Sequence, residues 1–215
     1  MDTDHRYQGH EGAGEIVAVG SAVKGFTVGE MIAVLSVPGC ARAECAECSR
    51  GVPQICVSGE RYGLANHGSF APYIAIKSWS AVKLPKGVSA SQGAVATDAV
   101  MTAYHAVVQK AKAKKEDTVV LYGLGGLGFN ALQVLLHIGA RVIAVDRRQE
   151  VLDEAVRFGV KQEDAVPADT ADVAAWIAEK GIIVDKVIDF VGTHDSFKAS
   201  QSLGERSGFA CPLPL

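Results

Sequence analysis

The chain has 215 residues, 48% hydrophobic and 21% charged, with a formal net charge of −3. That composition supplies a packed core and excludes a disordered polymer, and the small negative balance gives no general attraction to nucleic acid or an anionic membrane. No apolar run reaches the about 18 residues of a membrane span and no basic-then-apolar leader is visible, so the expectation is a cytoplasmic protein whose five cysteines serve as metal ligands or free thiols.

Residues 9–85 contain short apolar runs at 15–19, 31–35 and 73–76, separated by glycine and proline, and predict an all-β unit with loops. Within it stands Gly9-His10-Glu11-Gly12-Ala13-Gly14, followed by Gly20 and Val23. A His–Glu pair is common by chance, the glycines oppose a helix, and no second histidine follows at metalloprotease spacing. On its residues alone, His10 reads first as a structural histidine.

Cys40, Cys45, Cys48 and Cys56 come next, spaced C-x(4)-C-x(2)-C-x(7)-C within seventeen residues. Four thiolates so placed suffice to surround one zinc tetrahedrally and to close a loop with little apolar material of its own. Reduced buried thiols are the alternative, and Cys211 belongs to no pattern.

From residue 90 to about 113 the pattern turns helical, which suits a connecting segment. Asp98 by itself reads as a helix N-cap, and the lysine-rich run 110–115 as a solvated face. After Asp117, strands at 118–122, 141–145 and 185–191, with a weaker one at 165–167, alternate with helices. Their apolar residues recur at three and four, as in Leu127, Ala131, Val134, Leu135 and Ile138. That alternation predicts a doubly wound parallel sheet.

The strand at 118–122 runs directly into Gly123-Leu124-Gly125-Gly126-Leu127-Gly128 and then a helix. In this context Gly123 permits the tight turn, Gly125 lets backbone approach a pyrophosphate, and Gly128 lets helix pack on strand. Gly126 and Leu127 belong to the same candidate cofactor-binding loop. Asp146 ends the next strand, where its carboxylate suits an adenosine ribose and favours NAD over NADP. Arg147 and Arg148 offset that preference, since either suits adenine stacking or a phosphate; Val191 completes the candidate set.

Three features in order, G-H-E-x-x-G-x(5)-G-x-x-V, the segment from Ala96 to His105, and the nucleotide fingerprint, resemble the zinc-dependent medium-chain alcohol dehydrogenases. The resemblance covers residues 9 to about 200. It implies a partial GroES-like β-rich catalytic domain (1–89), a connecting helical segment (90–116), a partial Rossmann NAD-binding domain (117–200) and a divergent tail (201–215). It also implies that His10 and Asp98 are ligands of a catalytic zinc with Glu11 beside it, and that zinc polarises an alcohol which gives a hydride to the nicotinamide. The cysteine cluster resembles the family's structural-zinc lobe. There Cys45, Cys48 and Cys56 match the last three ligands, while Arg42 stands at the usual first position and Cys40 needs a two-residue bulge to serve.

In the family a further catalytic cysteine and a proton relay lie upstream of the histidine by more than the nine residues present here, and the dinucleotide sheet has six strands. The expectation is therefore a chain truncated at both ends, whose residues 203–215 do not form the next strand. The implied activity is zinc- and NAD-dependent oxidation of a small alcohol or reduction of its carbonyl, by a protein that is a homo-oligomer when intact. The competing expectation is a non-catalytic remnant that binds zinc and nucleotide or pairs with a full-length relative. A zinc-independent quinone or enone reductase is disfavoured by G-H-E, Asp98 and the cysteines.

Overall fold

The computed structural model describes residues 7–207 and 210–212, and it divides into two compact units, Met1–Asp98 and Ala99–Leu215. The division falls inside the helical segment between the two kinds of periodicity.

In the first unit, strands β1 (Gly12–Glu15), β2 (Met31–Val34) and β3 (Ala81–Lys83) form an antiparallel sheet in the order β1-β2-β3. Ala13 stands opposite Ala33, and Ala33 opposite Val82. Ile32, Val34 and Tyr62 make the buried core, covered by Ile16, Phe26, Ile74, Ile76 and Ala81. The run at 73–76, expected as a strand, has no ladder partner among the described residues. Its alternation reports one-sided burial instead: Ile74 and Ile76 pack inward while Tyr73 is exposed.

Helix α1 (Ala46–Ser49) is a single turn in the cysteine lobe, and α2 (Ala90–Val95) starts at Ser89. Ser89 and Gln92 form a reciprocal capping box, so the helix is set at Ser89 and not at Asp98. A π-helical segment, Ala96–Val100, follows α2. Then come α3 (Met101–Tyr104) and a second π-helical segment, His105–Lys110.

The second unit is built on a parallel sheet: β4 (Thr118–Tyr122), β5 (Arg141–Val145), β6 (Lys186–Asp189) and β7 (Ala210–Pro212), in the order β5-β4-β6-β7. Helices α4 (Gly126–Ile138), α5 (Gln149–Arg157), α6 (Val173–Glu179) and α7 (His194–Ser207) connect them. Strand β4 is buried on both faces. Val119 and Leu121 enter a core with α4 residues Ala131, Leu132 and Leu135, whereas Val120 and Tyr122 face Ile177 and Leu203.

Two sequence expectations are corrected here. The weak strand at 165–167 is a single bridge between Ala144 and Ala165. The stretch after residue 203 does contribute to the sheet, because β7 pairs in parallel with β6, Ile188 opposite Cys211. Pro212 is tolerated because β7 is the outermost strand among the described residues, where one edge needs no N–H donor. The strand order reverses between β4 and β6, and the crevice outside their carboxyl ends is where open α/β sheets take ligands.

Candidate functional site

At the end of β4 the chain turns at Gly123 with φ +80, a left-handed conformation that side chains oppose. Gly128 lies so close to the Gly123 carbonyl that a Cβ there would run into it. These two glycines are required by the protein's own packing. Gly125 and Gly126 are different, since a Cβ on either would meet nothing within 4 Å. Gly125 also has an ordinary backbone, φ −76 and ψ −163. Open space at these positions is what a ligand approaching the backbone needs. Gly125 is the N-cap of α4, and Gly126, Leu127 and Gly128 form its first turn, where N–H groups have no intrahelical acceptor.

Asp146, directly after β5, has a side chain only 7% exposed. Its Oδ2 accepts from the Leu124 N–H at 2.8 Å, tying the end of β5 to the glycine loop. Its Oδ1 accepts from the Arg148 N–H at 3.0 Å. The Arg148 guanidinium completes the set, Nε donating to Oδ1 and Nη2 to Oδ2, each at 3.0 Å. Burial raises the Asp146 carboxyl, but Arg148 and the two backbone N–H groups outweigh it and hold it below the usual aspartate range.

The loop after β6 supplies the other wall. Val191 stands over Gly123, 2.7 Å from where a Cβ would be. Asp189 is fully buried: its Oδ1 accepts from the Val191 and Gly192 N–H groups at 2.7 and 3.2 Å, and its Oδ2 from Ser196 Oγ at 2.8 Å. Sequence reasoning singled out Val191 but missed the Asp189–Ser196 pair that shapes its loop; a carboxylate closing a buried strand was the available signal. Together these elements enclose about 530 Å³ lined by Gly123, Gly125, Asp146, Arg147, Arg148, Val166, Val191 and Ser196, among others.

In the first unit the four cysteine sulfurs lie within 4.8 Å of one another. Cys40 Sγ is 3.8 Å from Cys48 Sγ, and Cys45 Sγ is 3.7 Å from Cys56 Sγ. Four sulfurs bound at about 2.3 Å to one tetrahedral zinc stand about 3.8 Å apart, so the donor set fits that ion in type and spacing. The longer spacer after Cys40 is absorbed at Ala41, whose φ is +54. Gly39 is needed beside it, since a Cβ there would lie 2.8 Å from Cys48 Sγ. Arg42 donates to the Cys40 sulfur and draws its thiol down to about 6. At Cys45 the Cys48 backbone N–H favours the thiolate, but the Glu47 carboxylate, burial and Cys40 together push the thiol up to about 12.

His10 and Asp98, far apart in sequence, meet within the first unit: Nε2 to Oδ2 is 2.9 Å, with both side chains partly exposed. His10 is fixed because the preceding segment is stitched to residues 68–70: the Gln8 and Gly9 carbonyls each accept at 2.8 Å, from the Phe70 and Ser69 N–H groups. Asp98 is carried by the π-helical segment, a form frequent at functional sites. An imidazole nitrogen and a carboxylate oxygen are donor types that zinc takes. Glu11 shares the hollow beside His10. Among the described residues, however, the four cysteines are the one group of three or more metal-donor side chains, so His10, Glu11 and Asp98 do not converge as a triad.

Comparison with known proteins places the sequence and the fold in one family. Residues 4–86 match the alcohol dehydrogenase GroES-like domain, and residues 126–209 the zinc-binding dehydrogenase domain. The chain belongs to the zinc-dependent medium-chain alcohol dehydrogenase family. Within the family it is 31% identical over 204 residues to 2-dehydro-3-deoxy-L-galactonate 5-dehydrogenase of Pseudoalteromonas atlantica, covering 93% of this chain and 57% of that one. It is likewise 31% identical over 211 residues to alcohol dehydrogenase B of Mycobacterium tuberculosis, covering 87% and 55%. The rspB alcohol dehydrogenase of Escherichia coli CFT073, solved with NADH, superposes with a TM-score of 0.83 at 30% identity, covering 92% of this chain and 58% of that one. The chain thus spans 55% to 57% of the length of these curated relatives. No described helix is long and apolar enough to cross a membrane.

Proposed function

We propose that this chain is the zinc- and NAD-binding part of an alcohol dehydrogenase that transfers a hydride between a small alcohol or its carbonyl and nicotinamide. The observation that carries the proposal is the glycine loop, where Gly125 and Gly126 leave open space that the protein's own packing does not require. In this reading the first-turn N–H groups of α4 bind the pyrophosphate, Asp146 orients the adenosine ribose, and Val191 with the apolar wall keeps water from the nucleotide. Cys40, Cys45, Cys48 and Cys56 hold a structural zinc. His10 and Asp98 contribute to a second, catalytic zinc, with Glu11 beside it. When bound, that zinc polarises the alcohol oxygen and the cofactor accepts the hydride. The division into a GroES-like region (1–89), a connecting segment (90–116) and a Rossmann region beginning at residue 117 belongs to the same proposal. So do cytoplasmic residence and self-association of the whole protein.

A second reading, binding of zinc and nucleotide without turnover, is favoured by one observation: no third ligand atom joins His10 and Asp98 among the described residues, whereas catalytic zinc sites use three. Zinc content, NADH binding by fluorescence, and NAD reduction on a panel of primary and secondary alcohols separate the two. Zinc-dependent turnover abolished by His10→Ala supports the dehydrogenase. Binding of zinc and NADH with no turnover on any alcohol assigns the chain to the second reading, and failure to bind NADH refutes both.

A further inference from the structure

The antiparallel sheet of the first unit has an unpaired side. Among the described residues β1 is an edge strand, bonded to β2 alone. In such a ladder alternate residues point their N–H and C=O groups away from the partner strand. Ile16 bonds toward β2, donating to the Glu30 carbonyl and accepting from the Gly29 N–H, each at 2.9 Å, so Ala13, Glu15 and Val17 turn theirs outward. Across a groove of about 580 Å³ lie residues 71–76, which also make no main-chain hydrogen bond among the described residues. The two walls run the same way, from Gly12 beside Ser69 to Ile16 beside Ile76. Ile32 and Val34 of β2 line the groove, and Ser69 Oγ on its border is buried without a hydrogen-bond partner. A Cβ on Gly14 would meet nothing within 4 Å, which leaves space on this wall for a side chain from elsewhere.

We propose that this groove is a docking site for an extended peptide segment of another polypeptide, which inserts as a strand antiparallel to both walls. An apolar hollow alone fits many covers. Two unpaired main-chain edges on one groove fit a strand, whose own N–H and C=O groups point to both sides. The walls, 13–18 and 71–76, are each six residues long, so the guest is about six residues, about 20 Å at about 3.4 Å per residue. Pro72 brings no N–H, and pairing on that wall falls to residues 73–76. Alternate side chains of the guest turn toward Ile32, Val34, Ile74 and Ile76 and are apolar, while the others face water and are polar. Among the described lining residues Glu15 alone is charged, which favours a lysine or arginine at one end of the guest. Main-chain bonds supply the affinity and the inward side chains the selectivity.

The test titrates the full, zinc-loaded chain with the hexapeptide acetyl-Lys-Val-Thr-Val-Thr-Val-amide, followed by calorimetry and amide hydrogen exchange. Binding should protect amides in 13–17 and 73–76 and leave β4 and α4 unchanged. Two further probes carry N-methyl groups on one or the other alternate set of peptide amides. Insertion between the walls uses both sets, so each methylated peptide should bind at least about tenfold more weakly. Gly14→Val places a side chain in the open space and suits a strand, so it should weaken the unmethylated peptide by at least about tenfold with the unfolding midpoint unchanged. If that variant fails to fold, Gly14→Ala, whose methyl meets no protein atom, carries the same test with a smaller loss. No binding, protection outside the two walls, or weakening by one methylated set alone overturns the insertion. A free chain that sediments as a dimer and dissociates as the peptide binds assigns the groove to a second copy and overturns it as well.

Discussion

The two units hold themselves together in different ways. In the second, the sheet is buried on both faces, with Leu121, Leu132, Leu135 and Ile143 fully inaccessible and β4 without an exposed residue along its length. In the first, the apolar core reduces to Ile32, Val34 and Tyr62. Its cysteine lobe is stitched by backbone contacts such as the Gly39–Glu60 bridge, with only Cys56 buried among its four thiols. Burial of apolar surface suffices for the parallel sheet. The lobe has no comparable supply, and ligation of a metal is what remains to hold it. Where binding depends on backbone shape, as at the glycine loop, the fold builds the site before the ligand arrives. Where it depends on ligation, ligand and local fold come together.

The largest effect that would break this contrast is at the lobe. Cys48→Ser, or chelation of the purified protein, should remove the zinc and deprotect amides between residues 40 and 60 to hydrogen exchange, while protection in β4 and α4 persists. Structural zinc contributes on the order of 10 kcal/mol of apparent binding energy at neutral pH. Cys40→Ser should lower bound zinc by elemental analysis as much as Cys48→Ser; unchanged content would remove Cys40 from the ligand set. Next in size is Gly128→Ala, which forces α4 off the Gly123 carbonyl and should cost about 3 kcal/mol in denaturant unfolding, with loss of 5′-AMP binding.

Gly125→Ala sharpens the same comparison from the other side. Its methyl meets no protein atom, so stability should change by less than about 0.5 kcal/mol while NADH affinity falls at least about tenfold through obstruction of the backbone. Equal losses of stability at Gly125 and Gly128 would show that both glycines serve packing alone.

The smallest effect is at Asp146. Its carboxyl titrates below the ordinary value of 3.8 in the folded state, so its contribution is present above that value and is lost as pH falls through the folded one. Asp146→Asn should cost on the order of 1 kcal/mol at pH 7, limited by the exposure of Arg148. The difference from the parent should shrink toward zero below about pH 4 in parallel denaturation series.

What was legible in the sequence follows from how local the constraint is. The nucleotide loop was readable because Gly123, Gly125 and Gly128 encode backbone requirements within six residues. Cys45, Cys48 and Cys56 were equally plain. Cys40 was ambiguous because its reach depends on a left-handed Ala41, and alanine carries no sign of that conformation. The apolar run at 73–76 predicts a strand, but an apolar run reports burial and not pairing, and here Ile74 and Ile76 are covered without a ladder partner among the described residues. Strand β7 was missed because its prolines argue against a central strand but not against an outermost one. The His10–Asp98 contact spans 88 positions and depends on a π-helical turn that a 3.6-residue period does not announce. The Arg148 clamp depends on a rotamer, which sequence does not specify.

The hydrogen bond from the Leu124 N–H to Asp146 Oδ2 joins the turn that would cradle phosphate to the carboxylate that would grip the sugar. The two subsites therefore share one mechanical part, and their contributions to affinity should not be separable. Loss of the side-chain acceptor releases the Leu124 amide and lets the turn relax, so Asp146→Ala weakens the grip on a phosphate it never touches. In a double-mutant cycle with Gly125→Ala the two penalties should then sum to more than the double variant loses. Inorganic pyrophosphate and adenosine, offered as separate fragments, should each bind better in the presence of the other, because whichever arrives first stiffens the loop that the second requires.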